Sequence, residues 1–148
     1  MRVAEVMSRF ILTIETTATI GEAARAMGIF DVGALPVVDN GRMIGIVTDR
    51  DLCVRGLGEG LHPGIGVSRV MSADVKTCRE SDLAEDVLDR MSDEQIRRMP
   101  VCALGGDLVG IVSLADLARS KQYRDDITIT LRNICRPDGT HSQRLRVA

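Results

Sequence analysis

Gly45-Ile46-Val47-Thr48-Asp49-Arg50-Asp51-Leu52 is the stretch on which the fold turns. Its apolar start reads as a short buried strand, and the polar run after it reads as a turn entering a helix. A second copy stands at Gly110-Ile111-Val112-Ser113-Leu114-Ala115-Asp116-Leu117. Each copy sets a hydroxyl three residues before an aspartate at a strand-to-helix turn. Two copies in one short chain are the mark of an internal duplication.

Other landmarks repeat in register. Val6-Met7-Ser8 returns as Val70-Met71-Ser72, Thr13 as Thr77, and Leu35-Pro36-Val37 as Met99-Pro100-Val101, each at an offset of 64 residues. The turn Leu104-Gly105-Gly106-Asp107 is one residue longer than Asp39-Asn40-Gly41-Arg42, so Gly110 follows Gly45 at an offset of 65.

Between these landmarks the first copy predicts a strand over Phe10 to Ile14. A helix follows, opened by the capping box Thr19-x-x-Glu22, with Ile20, Ala23, Ala24 and Met27 on its apolar face. A strand at Ala34 to Val38 carries its proline near the start, where a missing N–H is tolerated. A hairpin turn, a returning strand at Met43 to Val47 and a helix from Thr48 to Gly56 complete a β-α-β-β-α unit. In the second copy Ser81 and Asp82 are placed to cap a helix carrying Leu83, Val87, Leu88 and Met91.

The expected boundaries are a first repeat at 1–56, a linker at 57–66, a second repeat at 67–120 and a tail at 121–148. The linker assignment rests on five glycines and one proline between Gly56 and Gly66, which suit neither a strand nor a helix interior. In the tail, Ile127-Thr128-Ile129-Thr130-Leu131 alternates as a strand would. Asp125 and Asp126 can instead open a helix with Ile127, Leu131 and Ile134 on one face, and the helix is the expectation. The end, 138–148, is expected to be disordered or weakly docked.

Composition bounds the function. The chain has 148 residues, 45 % hydrophobic and 27 % charged, which suits a globular protein. Phe10, Phe30 and Tyr123 are its only aromatic residues, so the core must be aliphatic and no stacking platform for single-stranded nucleic acid exists. A formal net charge of −2 argues against an electrostatic grip on DNA or RNA. No apolar run reaches the about 20 residues that cross a bilayer, and Met1-Arg2-Val3-Ala4-Glu5 lacks a signal-peptide core, so a cytoplasmic protein without membrane contact is expected. Cys53, Cys78, Cys102 and Cys135 form no C-x-x-C pair and read as small apolar residues; no metal site is expected. Phosphate-loop, nucleophile-elbow and zinc-protease motifs are missing. An enzyme is therefore not expected.

With both copies laid out, the chain resembles the CBS-domain family, in which two β-α-β-β-α repeats pair with pseudo-twofold symmetry into a Bateman module of α/β (α+β) class. The resemblance rests on Val6-Met7-Ser8, Leu35-Pro36-Val37-Val38-Asp39, Gly45-Ile46-Val47-Thr48-x-x-Asp51-Leu52 and their second copies, and covers residues 1 to about 119. It implies a stand-alone, non-catalytic regulatory module. Such modules bind AMP, ADP or ATP, or sometimes S-adenosylmethionine or NAD, in clefts between repeats, with no cofactor required. By position, Thr48 and Asp51 would serve one cleft and Ser113 and Asp116 the other, the hydroxyl meeting phosphate or ribose and the aspartate accepting from the ribose diol. Arg97 and Arg98 are the candidates for phosphate, with Arg50 a further basic candidate. Thr13 and Thr77 stand where the family's adenine meets backbone. The resemblance also implies a homodimer acting on a regulated protein of unknown identity.

The residue types suit that chemistry. A carboxylate accepts two hydroxyl protons, and arginine offers a planar fork to phosphate oxygens. Each feature also has a plainer explanation. A hydroxyl at the N-cap with an acid at N3 closes a helix turn unaided. Arg97 and Arg98 can pair with Asp93 and Glu94, and strand threonines are ordinary. The alternative function is therefore a ligand-free structural dimerisation module.

Overall fold

The β-branched run Val37-Val38 and the alternation that follows favour a half-buried hairpin, and the chain builds one. In the computed structural model, which describes residues 1–137, β2 (Ala34–Asp39) pairs antiparallel with β3 (Arg42–Thr48). The two-residue loop is Asn40-Gly41, with φ of 50° and 83°. Positive φ at both central residues is what a tight hairpin with right-handed strand twist demands. Register runs Leu35 opposite Val47 and Val37 opposite Gly45, with a bulge between Val37 and Val38. β1 (Ile14–Glu15) joins β2 in parallel, Ile14 beside Val37. The strand expected from Phe10 thus shrinks to its last residue and one beyond; Phe10 is 85 % exposed.

Ahead of the hairpin, α2 (Ile20–Phe30) is capped by Thr19, whose hydroxyl accepts the Glu22 N–H at 3.2 Å while Glu22 accepts the Thr19 N–H at 2.7 Å. Its buried residues are Ile20, Ala23 and Met27; Ala24 of the expected face is exposed. After β3, α3 (Asp49–Asp51) continues as a wider π turn over Leu52–Gly56. A short α1 (Val3–Val6) begins the chain.

The second copy builds α4 (Ala84–Asp93), the hairpin β4 (Arg98–Cys102) and β5 (Leu108–Ser113), and α5 (Leu114–Ala118). Cys78 bridges Val101 in parallel, as Ile14 bridges Val37. Ser81 and Asp82 do not cap α4: Leu83 is the N-cap residue, without a side-chain cap bond, and is 44 % exposed. Asp82 instead accepts the Arg79 N–H and pairs with Arg90. Beyond α5 the tail forms α6 (Arg124–Ile134), the helix expected there. Residues 138–148 lie outside the described ones. Among those described, no helix is long and apolar enough to cross a membrane.

Two compact units emerge, and they are not the two repeats. One comprises Met1–Arg9, Thr77–Ala103 and Val109 onward; the other comprises Phe10–Lys76 and Leu104–Leu108. Each therefore holds the leading segment of the opposite repeat. In the first-repeat body, the Val67 N–H donates to Ala18 O at 2.8 Å, and Ser72 exchanges both backbone bonds with Ile46 at 2.8 and 2.9 Å. In the second-repeat body, the Val3 N–H donates to Asp82 O at 3.0 Å, and Ser8 exchanges both bonds with Ile111 at 2.8 and 3.0 Å.

The exchange has an apolar basis. Val67 and Val70 bury against Ile20, Ala23, Met27, Leu35, Val37 and Val47. Val3 and Met7 bury with Val87, Leu88, Met91, Met99, Val101 and Val112. The glycine-rich stretch 57–66 also has a structural task. Carbonyls of Pro63 and Ile65 accept the Gly21 and Ile20 N–H groups at 2.9 Å, satisfying donors that the start of α2 leaves open.

Candidate functional site

Both strand-to-helix turns follow one local logic. Thr48 and Ser113 sit in extended backbone (φ −114° and −120°) and hold the third helical residue by a reciprocal capping box. Asp51 Oδ2 accepts the Thr48 N–H at 2.9 Å and its hydroxyl at 2.8 Å, while the Asp51 N–H donates to Thr48 Oγ1 at 3.1 Å. Asp116 Oδ2 accepts the Ser113 N–H at 2.9 Å and its hydroxyl at 2.5 Å, and returns its own N–H at 3.2 Å. The capping explanation is thus realised in full, and it uses one carboxylate oxygen of each aspartate.

The other oxygen faces an arginine on the same helical stretch. Asp51 Oδ1 lies 3.7 Å from Arg55 Nη1, and Asp116 Oδ1 pairs with Arg119. The environments differ. Asp51 is 3 % exposed, the one buried acidic residue among those described, whereas the Asp116 side chain is 15 % exposed. Neither arginine was singled out in the sequence. The usable signal was their spacing, four and three residues after the aspartate, which sets opposite charges on one helix face.

The other candidates fall around these turns unequally. Arg97 joins the second turn through its backbone: its carbonyl accepts the Leu114 N–H at 2.9 Å, as Gly33 O accepts the Asp49 N–H at 3.1 Å. The Arg97 and Arg98 side chains are exposed, Arg98 opening β4. Arg50 is exposed on the first turn. Thr13 and Thr77 fall in no strand; each immediately precedes the residue that bridges the central strand, and Thr77 O accepts from the Arg90 guanidinium. Of the nine, the structure brings together Thr48 with Asp51 in one unit, and Ser113 with Asp116 and the Arg97 backbone in the other.

No group of three or more His, Cys, Asp or Glu residues that could hold a metal ion occurs among the described residues. Burial pushes the Cys78 thiol up to about 12, so it is protonated at neutral pH and fills space as a small apolar side chain.

These turns and their duplicated β-α-β-β-α frame define a tandem repeat module, and comparison with known proteins supplies its family. The CBS domain profile matches residues 3–57 and again 67–122, and the chain belongs to the CBS-domain family. It is 36 % identical over 132 residues to the CBS domain-containing protein YhcV of Bacillus subtilis, covering 89 % of this chain and 94 % of that one. It is 33 % identical over 117 residues to hypoxic response protein 1 of Mycobacterium tuberculosis, covering 78 % and 81 %. An inosine-5'-monophosphate dehydrogenase from Methanocaldococcus jannaschii is 31 % identical, but the match spans only 23 % of that enzyme. Among solved structures, hypoxic response protein I with two coordinated zinc ions superposes with a TM-score of 0.74 at 31 % identity, covering 80 % of this chain and 98 % of that one. The CBS domain pair of protein MJ0100, in complex with 5'-methylthioadenosine and S-adenosyl-L-methionine, gives a TM-score of 0.72 at 28 % identity, covering 80 % and 94 %.

Proposed function

We propose that this chain is a non-catalytic regulatory module that binds an adenosine-containing small molecule beside Asp51, Asp116 or both. AMP, ADP, ATP, S-adenosylmethionine and 5'-methylthioadenosine share the ribose diol that such a carboxylate would accept from. The observation that carries the reading is the paired build of the two turns: each aspartate commits one oxygen to capping and turns the other toward an arginine side chain. A diol can replace an arginine there without undoing the helix start. The adenosyl ligands of the similar MJ0100 pair support the ligand class. In this reading Thr48 and Ser113 contact ribose or phosphate, and Arg97, Arg98 and Arg50 offer charge to a phosphate. Thr13 and Thr77 lend backbone to the base. A homodimer acting in the cytoplasm on a partner protein completes the proposal.

Isothermal titration and thermal shift with S-adenosylmethionine, 5'-methylthioadenosine, AMP and ATP test it. A ligand present at 100 times its Kd raises stability by about 2.7 kcal/mol, which is easily seen in Tm. Silence from all four overturns it.

One observation favours the second reading, a ligand-free dimerisation module: both capping boxes are complete and both second oxygens already have a cationic partner. Under it, loss of either aspartate lowers Tm while no nucleotide raises it.

A further inference from the structure

Arg55 stands at a junction of three oxygens. Its Nη1 donates to Val70 O at 3.1 Å and to Ser72 Oγ at 3.2 Å, and the same nitrogen lies 3.7 Å from Asp51 Oδ1. The two hydrogens of that nitrogen are taken by the carbonyl and the hydroxyl, so the carboxylate holds the guanidinium by charge. Asp51 itself cannot drift, because its Oδ2 is fixed by two bonds from Thr48. The Asp51 side chain is buried while that of Arg55 is 46 % exposed, so solvent still screens the pair in part, and the guanidinium owes its place chiefly to the Val70 and Ser72 bonds.

The two ends of this link differ in kind. Asp51 belongs to the first candidate turn. Val70 and Ser72 belong to the exchanged segment that begins the second repeat, and the chain leaves this unit at Lys76. The π turn over Leu52–Gly56 sets Arg55 in place, and such turns are frequent at functional sites. The duplication does not repeat the feature in sequence: at an offset of 65, Arg55 corresponds to Ser120, and the arginine facing Asp116 is Arg119, which corresponds to Val54.

We propose that Arg55 is a positioning residue that couples the Asp51 carboxylate to the Val70–Ser72 segment, so that what engages Asp51 changes how firmly that segment is held. This deepens, and for its ligand arm rests on, the reading of Asp51 as a diol acceptor. A hydroxyl pair on Oδ1 displaces the guanidinium from beside its counter-ion, and the segment loosens. The signal leaves the first turn along the chain that enters the second repeat.

The reporter is the Ser72 amide, bonded to Ile46 O at 2.8 Å, with the Gly21 amide, bonded to Pro63 O at 2.9 Å, as a control in the same unit. In the ligand-free protein, Asp51→Asn keeps an acceptor for the cap but removes the charge. Hydrogen exchange at Ser72 is expected to quicken about fivefold while Gly21 is unchanged. In an Arg55→Met background the same change is expected to do nothing, and in Arg55→Lys, which retains the charge, the effect returns. Unchanged Ser72 exchange in Asp51→Asn, an equal effect in Arg55→Met, or a lysine variant that behaves as methionine does each overturns the coupling. With S-adenosylmethionine added to the wild type, Ser72 exchange quickens and Arg55→Met abolishes the response. Lack of binding removes the ligand reading alone, because the Asp51→Asn series judges the coupling without a ligand.

Discussion

The sulfur of Met71 occupies the space where a side chain at Gly45 would begin. A Cβ there would lie 2.6 Å from Met71 Sδ and 2.9 Å from the Ser72 carbonyl oxygen. The second copy repeats the arrangement: a Cβ at Gly110 would lie 2.6 Å from Met7 Sδ but 3.2 Å from Ser8 O. The glycine of each repeated stretch is therefore the seat for the exchanged segment of the other repeat. Gly45→Ala must displace backbone and is expected to cost about 1–3 kcal/mol, the usual range for overpacking. Gly110→Ala needs the methionine to swing and the Ser8 carbonyl to give by only a few tenths of an ångström, and should cost less. Urea denaturation of both variants measures the difference, and equal costs would refute the backbone argument.

Asp116 separates capping from ligand contact. Replacing it by alanine removes both bonds from Ser113 and the ion pair with Arg119. Stability is expected to fall by about 1 kcal/mol, the worth of an N-terminal cap, with the fold intact by circular dichroism. Affinity for whichever adenosyl ligand binds the wild type is expected to fall at least several-fold. If titration finds it unchanged, Asp116 does not belong to the site.

Tyr123 predicts an alkaline limit. The ring is 1 % exposed and its hydroxyl donates to Glu85 Oε1 at 2.9 Å. Burial first, then that bond and the nearby carboxylates of Glu85, Glu5 and Asp126, push its pKa from 10.0 up to about 12. Between those values the unfolded chain gives up the phenol proton and the folded one keeps it. Stability is thus unaffected by this group below about pH 10 and declines as pH rises toward about 12. Tyr123→Phe should lose about 1 kcal/mol at neutral pH through the missing bond. It should also show a shallower decline than wild type between pH 9.5 and 11.5 in guanidinium titrations, Cys78 contributing equally to both. Parallel pH profiles would exclude the phenol as the cause.

Local signals carried much of this in the sequence. Asn40-Gly41 announced its hairpin because the two positive φ angles have few other hosts, and Thr19-x-x-Glu22 and Thr48-x-x-Asp51 announced their helix starts because the bonds close within one turn. The exchange of leading segments was not legible. Val6-Met7-Ser8 and Val70-Met71-Ser72 are the same tripeptide, so nothing local says which hairpin each will join. Ser81 and Asp82 misled for a related reason. They have capping chemistry, but the Ala84 N–H is taken by Met1 O, a partner 83 residues away. Arg55 was visible as an i,i+4 partner of Asp51; its bonds to Val70 and Ser72 depend on the exchange and were not.

The last helix of the described chain gives the last test, because spacing and burial there pick out different residues. Spacing puts Ile127, Leu131 and Ile134 on one face of α6. In the structure the one fully buried residue is Thr130, Ile127 packs against the second-repeat core, and Leu131 is 44 % exposed. The helix is turned this way by polar contacts that periodicity does not register. Gln95 Nε2 donates to Asn133 O at 2.8 Å, and Asn133 Nδ2 donates to Ser92 Oγ at 2.7 Å, both from the end of α4 and the residues just after it. Leu131→Ala should therefore change stability by less than about 0.5 kcal/mol, as ordinary surface substitutions do. Ile127→Ala should cost about 1–2 kcal/mol, less than full burial would give. Asn133→Ala should cost about 1 kcal/mol and speed amide exchange within α6 before the sheets respond. A larger loss for Leu131→Ala than for Ile127→Ala in chemical denaturation would mean that α6 presents the face its spacing suggests, and that the Asn133 contacts do not set its rotation.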